Sequence, residues 1–218
     1  MWCIPTVTPE FLERMNDVLK QYEKRYNPRY PRICLDEKSQ QLLSTPRGEK
    51  LVRTERPKQI DYEYKRHGTV NLFVAIEPKK GRRTIRVTDK RTGKDFARYI
   101  QFLVMKVYKE AKKVHLIIDN LNTHNEETIR THLGEQIGRL VTSRIVWHYT
   151  PKHASWLNMA EIEIGVVTKQ VLKKRISNKT TLISEIRAYQ NRRNTEKATI
   201  NWKFTSAMAK EKFKLHNN

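Results

Sequence analysis

The chain has 218 residues, the size of one mid-sized domain with small appendages, and carries 44 Lys and Arg against 23 Asp and Glu. Its formal net charge of +21 makes a polyanion the expected partner, with nucleic acid the default. No run of about 18 apolar residues exists, which excludes a membrane-spanning helix. The opening Met1-Trp2-Cys3-Ile4-Pro5 lacks a basic region followed by an apolar stretch, so no Sec-type signal is read there. Two cysteines, Cys3 and Cys34, are too few for a disulfide framework or a four-cysteine zinc site. The cytoplasm is the expected setting. Basic residues are spread along the whole chain, and with 7 Gly and 8 Pro there is no linker or repeat, so the charge decorates a folded body.

Thr8-Pro9-Glu10 has a capping hydroxyl, a proline for the first helical position and an early acid, and predicts a helix start. Phe11, Leu12, Met15, Val18, Leu19 and Tyr22 follow at helical spacing, and Asn27-Pro28 stops the helix. A short β-run, 32–36, comes next. The polar stretch 44–68 reads as a long connection with room for one short strand. Residues 69–76 and 84–88 flank the turn Pro78-Lys79-Lys80-Gly81 and predict a hairpin. Phe96, Ile100, Leu103, Val104 and Val107 predict an amphipathic helix over 95–111. The apolar run Val114-His115-Leu116-Ile117-Ile118 suits a central strand buried on both faces. A helix over 126–138, a strand over 144–148, a long helix over 155–175 and two further helices, 182–193 and 206–214, complete the chain. A meander followed by βαβ units implies a mixed five-stranded sheet flanked by helices, for which the ribonuclease-H-like fold is one solution among the α/β folds.

Two acids end apolar runs, Asp36 after Ile33-Cys34-Leu35 and Asp119 after Ile117-Ile118. Either alone reads as a turn or cap residue. Together they matter more, because ligand sites of open α/β sheets lie beyond the carboxyl ends of strands. On neighbouring strands the two carboxylates would repel, and a hard divalent cation such as Mg²⁺ or Mn²⁺ would relieve the repulsion. A third acid can come from the long helix, whose apolar stripe is Leu157, Ala160, Ile164, Val167 and Val171. Glu161 lies on one flank of that stripe and Glu163 on the other, and periodicity does not choose between them. Three such carboxylates describe a two-metal phosphodiesterase, one metal activating the attacking water or hydroxyl and the other stabilising the leaving 3′-oxygen.

Three blocks carry a resemblance: Cys34-Leu35-Asp36-Glu37-Lys38-Ser39, Ile117-Ile118-Asp119-Asn120-Leu121-Asn122-Thr123-His124, and His148-Tyr149-Thr150-Pro151-Lys152-His153-Ala154-Ser155-Trp156-Leu157-Asn158-Met159-Ala160-Glu161. In this order they resemble the signature blocks of DDE transposases, in the bacterial insertion-sequence branch of the mariner superfamily. The resemblance runs from about residue 30 to the C-terminus, including the tail block Ile200-Asn201-Trp202-Lys203-Phe204-Thr205.

It implies a ribonuclease-H-like core with Mg²⁺ (or Mn²⁺) as cofactor. The implied activity is cleavage of double-stranded DNA at transposon ends and strand transfer into target, typically at TA. Asp36 and Asp119 would be the catalytic and metal-holding aspartates. Glu161 would be the third acid, since the family's glutamate follows the Asn by three residues. The interval from Asp119 to Glu161 is longer than the usual mariner spacing, which the bacterial branch tolerates. Asn120, Asn122, His124 and Asn158 would support the site; His153 is either a DNA contact or an ordinary loop residue. Family members act as homo-oligomers in synaptic complexes. They carry paired helix-turn-helix modules ahead of the catalytic domain, where this chain has room for a single helix. A separately encoded helix-turn-helix half is therefore an expected partner. The expected organisation is an N-terminal helix and lead-in over 1–30, the catalytic domain over 31–178 and a helical extension over 179–218. The rival readings are a ribonuclease-H-like nuclease that does not join strands, and an inactive basic DNA-binding remnant.

Overall fold

In the computed structural model of the chain, which describes residues 7–46 and 62–213, helix α1 (Pro9–Glu23) begins where its cap predicts. The Thr8 hydroxyl accepts the Phe11 N–H at 3.1 Å. Strands β1 (Arg32–Ser44), β2 (Lys65–Glu77) and β3 (Arg82–Thr88) form an antiparallel meander, with Gly81 in the left-handed region at the β2–β3 turn. Helix α2 (Gly93–Phe102) follows, opened by a reciprocal cap between Thr92 and Asp95. Then come β4 (Val114–Ile118), α3 (Glu126–Leu133), α4 (Glu135–Thr142) and β5 (Ile145–Tyr149). The chain ends in α5 (Ala160–Val167), α6 (Lys179–Thr195) and α7 (Ser206–Lys212).

The sheet order is β3-β2-β1-β4-β5, with β1 parallel to β4 and β4 parallel to β5. This is the mixed five-stranded, ribonuclease-H-like arrangement the element order suggests. Alternation along β1 divides its side chains between the two faces. Ile33 and Leu35 pack with Leu116, Ile118, Phe73 and the apolar faces of α2, α3 and α4. Cys34 points the other way, with Ile76 and Ile117, against α1 and the residues that open α5. Val70, Leu72 and Val74 continue that second face beneath α5 and α6, meeting Ile164, Val167, Leu182 and Ile186. Asp36 shares the parity of Cys34, so it faces the α1–α5 layer.

Five expectations about elements change. Strand β1 runs on eight residues beyond Asp36, because its polar half pairs with residues 65–71 of β2 across a bulge between Gln41 and Leu43. Composition reads these polar residues as loop; cross-strand pairing makes them a ribbon. The short strand allowed for within 44–68 is the start of β2 as far as Lys65–Gly68 goes, and residues 47–61 lie outside the described residues. The helix over 95–111 ends at Phe102 and widens into a π turn, Leu103–Val107. The helix over 126–138 breaks at Gly134 (φ 78°) into α3 and α4. The long helix over 155–175 is also interrupted. A 3₁₀ turn, Ser155–Leu157, and an extended Asn158 precede α5, which then passes into a π turn, Thr168–Leu172.

Candidate active site

The parallel pairing of β1 with β4 sets Cys34 opposite Ile117. Asp36 and Asp119 each stand two residues further on, so the register places them side by side. Asp36 is thus inside a continuing strand, whereas Asp119 lies just past the end of β4. The third acid arrives from the α5 side. Asn158 is buried and donates from Nδ2 to the Leu35 carbonyl at 2.8 Å, while its Oδ1 accepts the Ala160 N–H at 3.1 Å. One side chain therefore ties the start of α5 to the residue before Asp36 and satisfies an orphan helix donor. Glu161 follows in the first turn of α5 and is exposed.

The electrostatics of the site follow from burial first and from the neighbouring charges second. Burial pushes the Asp36 carboxyl up to about 7. The Glu37 N–H, donating to Asp36 Oδ1 at 2.7 Å, opposes that shift, and the charges of Glu161, Asp119 and Glu37 add to it. Asp119 is oriented by His124. This imidazole is buried, lies 4.5 Å from the Phe96 ring, and makes contacts of 2.5 Å from Nδ1 to Asp119 Oδ1 and 3.1 Å from Nε2 to Glu37 Oε1. Burial works against its charge, but hydrogen bonds to the two carboxylates outweigh that and raise it to about 9. The His124 backbone is held too, its carbonyl accepting from Tyr149 Oη at 3.0 Å.

The donor set is one of hard oxygens carrying surplus negative charge, which suits Mg²⁺ or Mn²⁺. Among the described residues, no three His, Cys, Asp or Glu side chains already stand together as a coordination cage. To hold an ion the acids would have to close on it, and Glu161, which is exposed, has the freedom to do so. Cys34 is no rival ligand: burial pushes its thiol up to about 12 despite a contact with Tyr22.

The remaining expected residues fall into two groups. Asn120 and Asn122 line an open cleft beside Asp119, together with Glu37, Arg91, Leu121 and Thr123. Asn122 also supplies a carbonyl to Asn125, which caps α3. His153 is exposed in a left-handed turn position (φ 60°), and among the described contacts none joins it to the acids. Glu163, the alternative to Glu161, is fully buried and ion-paired with Arg83, so it faces away from the site. Sequence reasoning passes over Glu37, Arg91 and Phe96. For Glu37 a signal exists: period-2 alternation sets it on the face opposite Asp36, where an acid against an apolar layer needs a partner.

A family model described as DDE superfamily endonuclease matches residues 31–183. Among solved structures, the fold is similar to that of the Mos1 mariner paired-end complex with Mn (TM-score 0.58, 13% identity, 91% of this chain and 60% of that chain). It is similar also to the paired-end complex with Mg (TM-score 0.53, 16% identity, 91% and 62%). The catalytic domain of Mos1 mariner transposase aligns at TM-score 0.52 and 11% identity, over 90% of this chain and 96% of that one. This chain thus spans about three fifths of the length of the Mos1 chains in the paired-end complexes. No curated protein matches it by sequence. At such identities the structural likeness concerns the fold, and the family rests on the matched sequence: the chain belongs to the DDE superfamily endonucleases.

Proposed function

We propose that the chain is the catalytic portion of a transposase that cleaves double-stranded DNA at transposon ends and joins the freed 3′ ends to target DNA. The observation that carries this reading is the parallel register of β1 with β4, which sets Asp36 beside Asp119 just past the end of β4, with Glu161 in the first turn of α5 tied to Leu35 by Asn158. In this reading Asp36, Asp119 and Glu161 hold the divalent cation. A bound Mg²⁺ or Mn²⁺ would supply a more acidic attacking water or hydroxyl and stabilise the leaving 3′-oxygen.

The chain's own groups set the geometry. His124 fixes the Asp119 carboxylate through Nδ1 and is itself fixed through Nε2 by Glu37. Asn158 delivers Glu161 to the same place by its bond to Leu35. The +21 surface concentrates duplex DNA. Mos1 forms paired-end and strand-transfer complexes, which supports a homo-oligomeric synaptic complex here. A TA target belongs to the same reading.

The test is nicking of supercoiled plasmid in Mn²⁺ or Mg²⁺ by wild type and by Asp36→Ala, Asp119→Ala and Glu161→Ala. Loss of nicking in each single variant is the expected result. Formation of joined products with wild type separates a transposase from a nuclease that only cuts. A wild type that binds DNA yet never nicks it would sink the catalytic reading.

A further inference from the structure

Two residues after Glu161, on the opposite side of α5, Glu163 is buried in an ion pair that the active site does not use. Its Oε1 is 2.8 Å from Arg83 Nε and accepts a 2.7 Å hydrogen bond from Tyr189 Oη of α6. Arg83 is itself immobilised, donating from Nη1 to the Gly81 carbonyl at 3.0 Å and from Nη2 to the Ala198 carbonyl at 2.6 Å. Because β3 is an edge strand, its outer backbone groups need partners. Asn194 of α6 supplies both for Arg83, accepting its N–H at 2.8 Å and donating to its carbonyl at 2.9 Å. Gln190 accepts the Ile85 N–H at 2.7 Å. Strand β3 and helix α6 thus form one locked unit, and Glu163 docks α5 onto it.

Stability alone accounts poorly for this arrangement. Two charges taken out of water return little net energy, and apolar residues of similar volume often serve as well. Glu163 Oε2 has no hydrogen-bond partner among the described residues, and the Arg83 Nε–H is not aligned along its contact. What a buried pair between two side chains fixed by other bonds does supply is one orientation. Helix α5 has no side-chain cap from Met159; its first N–H is held instead by Asn158 Oδ1, and its polar tethers add to the packing of Ile164 and Val167 in setting its rotation. Asn158 ties it to β1, and Glu163 ties its opposite side to Arg83 and Tyr189.

We propose that the Arg83–Glu163 pair, braced by Tyr189 and Asn194 of α6, is a positioning device that turns α5 so that Glu161 stands over Asp36. The inference rests on the reading of Asp36, Asp119 and Glu161 as the metal-holding acids. It makes α6 part of the support of the active site.

The experiment is a titration of the full chain with Mn²⁺, followed by the electron paramagnetic resonance signal of the free ion and accompanied by thermal melts. Glu163→Gln and Tyr189→Phe should bind Mn²⁺ about tenfold more weakly than wild type, the scale seen when groups supporting metal ligands are removed. Ile186→Val loosens α6 packing without touching the pair, and should lower the melting temperature at unchanged Mn²⁺ affinity. Tyr189→Phe keeps the ion pair and guards against a Glu163 variant that does not fold. Wild-type affinity in both network variants, with binding abolished by Asp36→Ala, overturns the positioning role and leaves the acids in place. An Ile186→Val variant as weakened as the other two overturns it as well, since affinity would then merely follow stability. Equal binding by wild type and Asp36→Ala overturns the acid assignment and the inference together.

Discussion

Asp36 carries a carboxyl that the fold holds near pH 7 against an ordinary value of 3.8, chiefly by burial. A raised carboxyl pKa means that the folded state binds the proton more tightly than the unfolded state. Stability contributed by the protonated group is therefore present below about pH 4 and lost progressively as pH rises to about 7. His124 acts in the same sense, its contribution being full below 6.5 and lost as pH passes about 9. In chelator at pH 8, Asp36→Asn should thus melt above wild type, by roughly 2–4 kcal/mol of stability, and the gap should narrow by more than half at pH 5. Added Mg²⁺ should raise the wild type and not the variant; no gain for the variant at pH 8 would show that the fold does not raise the Asp36 carboxyl. Asp36 and Asp119 are legible in the sequence because each follows an apolar run that must be a strand. Glu161 needs the resemblance, since helical spacing leaves it level with Glu163. Arg83 is not legible at all: within polar–apolar alternation a basic residue reads as surface, and only the packing of α5 and α6 over β3 reveals it as buried.

Elements here are joined by close backbone approaches that sequence patterns show only as glycine. Gly81 has φ +67°, and a Cβ there would come within 2.4 Å of the Lys197 carbonyl carbon, on the segment that follows α6. Gly134 has a similar positive φ of +78° but open space around it. Gly81→Ala should therefore destabilise by several kcal/mol, adding a steric clash to backbone strain. Gly134→Ala should cost only the strain, about 1–3 kcal/mol. Urea unfolding of the two variants checks this, and equal losses would mean that the β2–β3 turn can move away from residue 197. The start of α1 is the most legible helix start in the chain. Thr8 caps α1 through its side chain as the sequence predicts, whereas Thr92 caps α2 at Gly93, two residues ahead of the expected start. The breaks are less legible, because Asn158 leaves the helical conformation to reach Leu35, a contact 123 residues away in sequence. The full length of β1 depends likewise on β2 and not on its own polar composition.

Across the whole molecule, the charge of +21 and the cluster of acids make opposite demands on a DNA duplex. On the proposed reading most of the surface draws phosphates in, while Asp36, Asp119, Glu161 and Glu37 would repel them locally until a cation intervenes. Binding and chemistry should then separate cleanly. EDTA should stop nicking and leave duplex binding in place, because the attraction comes from Lys and Arg spread along the chain. That binding should weaken about 10³-fold or more between 50 and 200 mM salt if six or more phosphates are neutralised. Replacing Asp36, Asp119 and Glu161 together by Ala removes up to three negative charges, so the triple variant should bind duplex at least as tightly as wild type in chelator. Fluorescence anisotropy with a labelled duplex across a salt series measures all three outcomes. A triple variant that binds more weakly while keeping its fold would mean that these carboxylates contact DNA directly, and a loss of binding in EDTA would mean that the cation recruits the duplex rather than preparing it for attack.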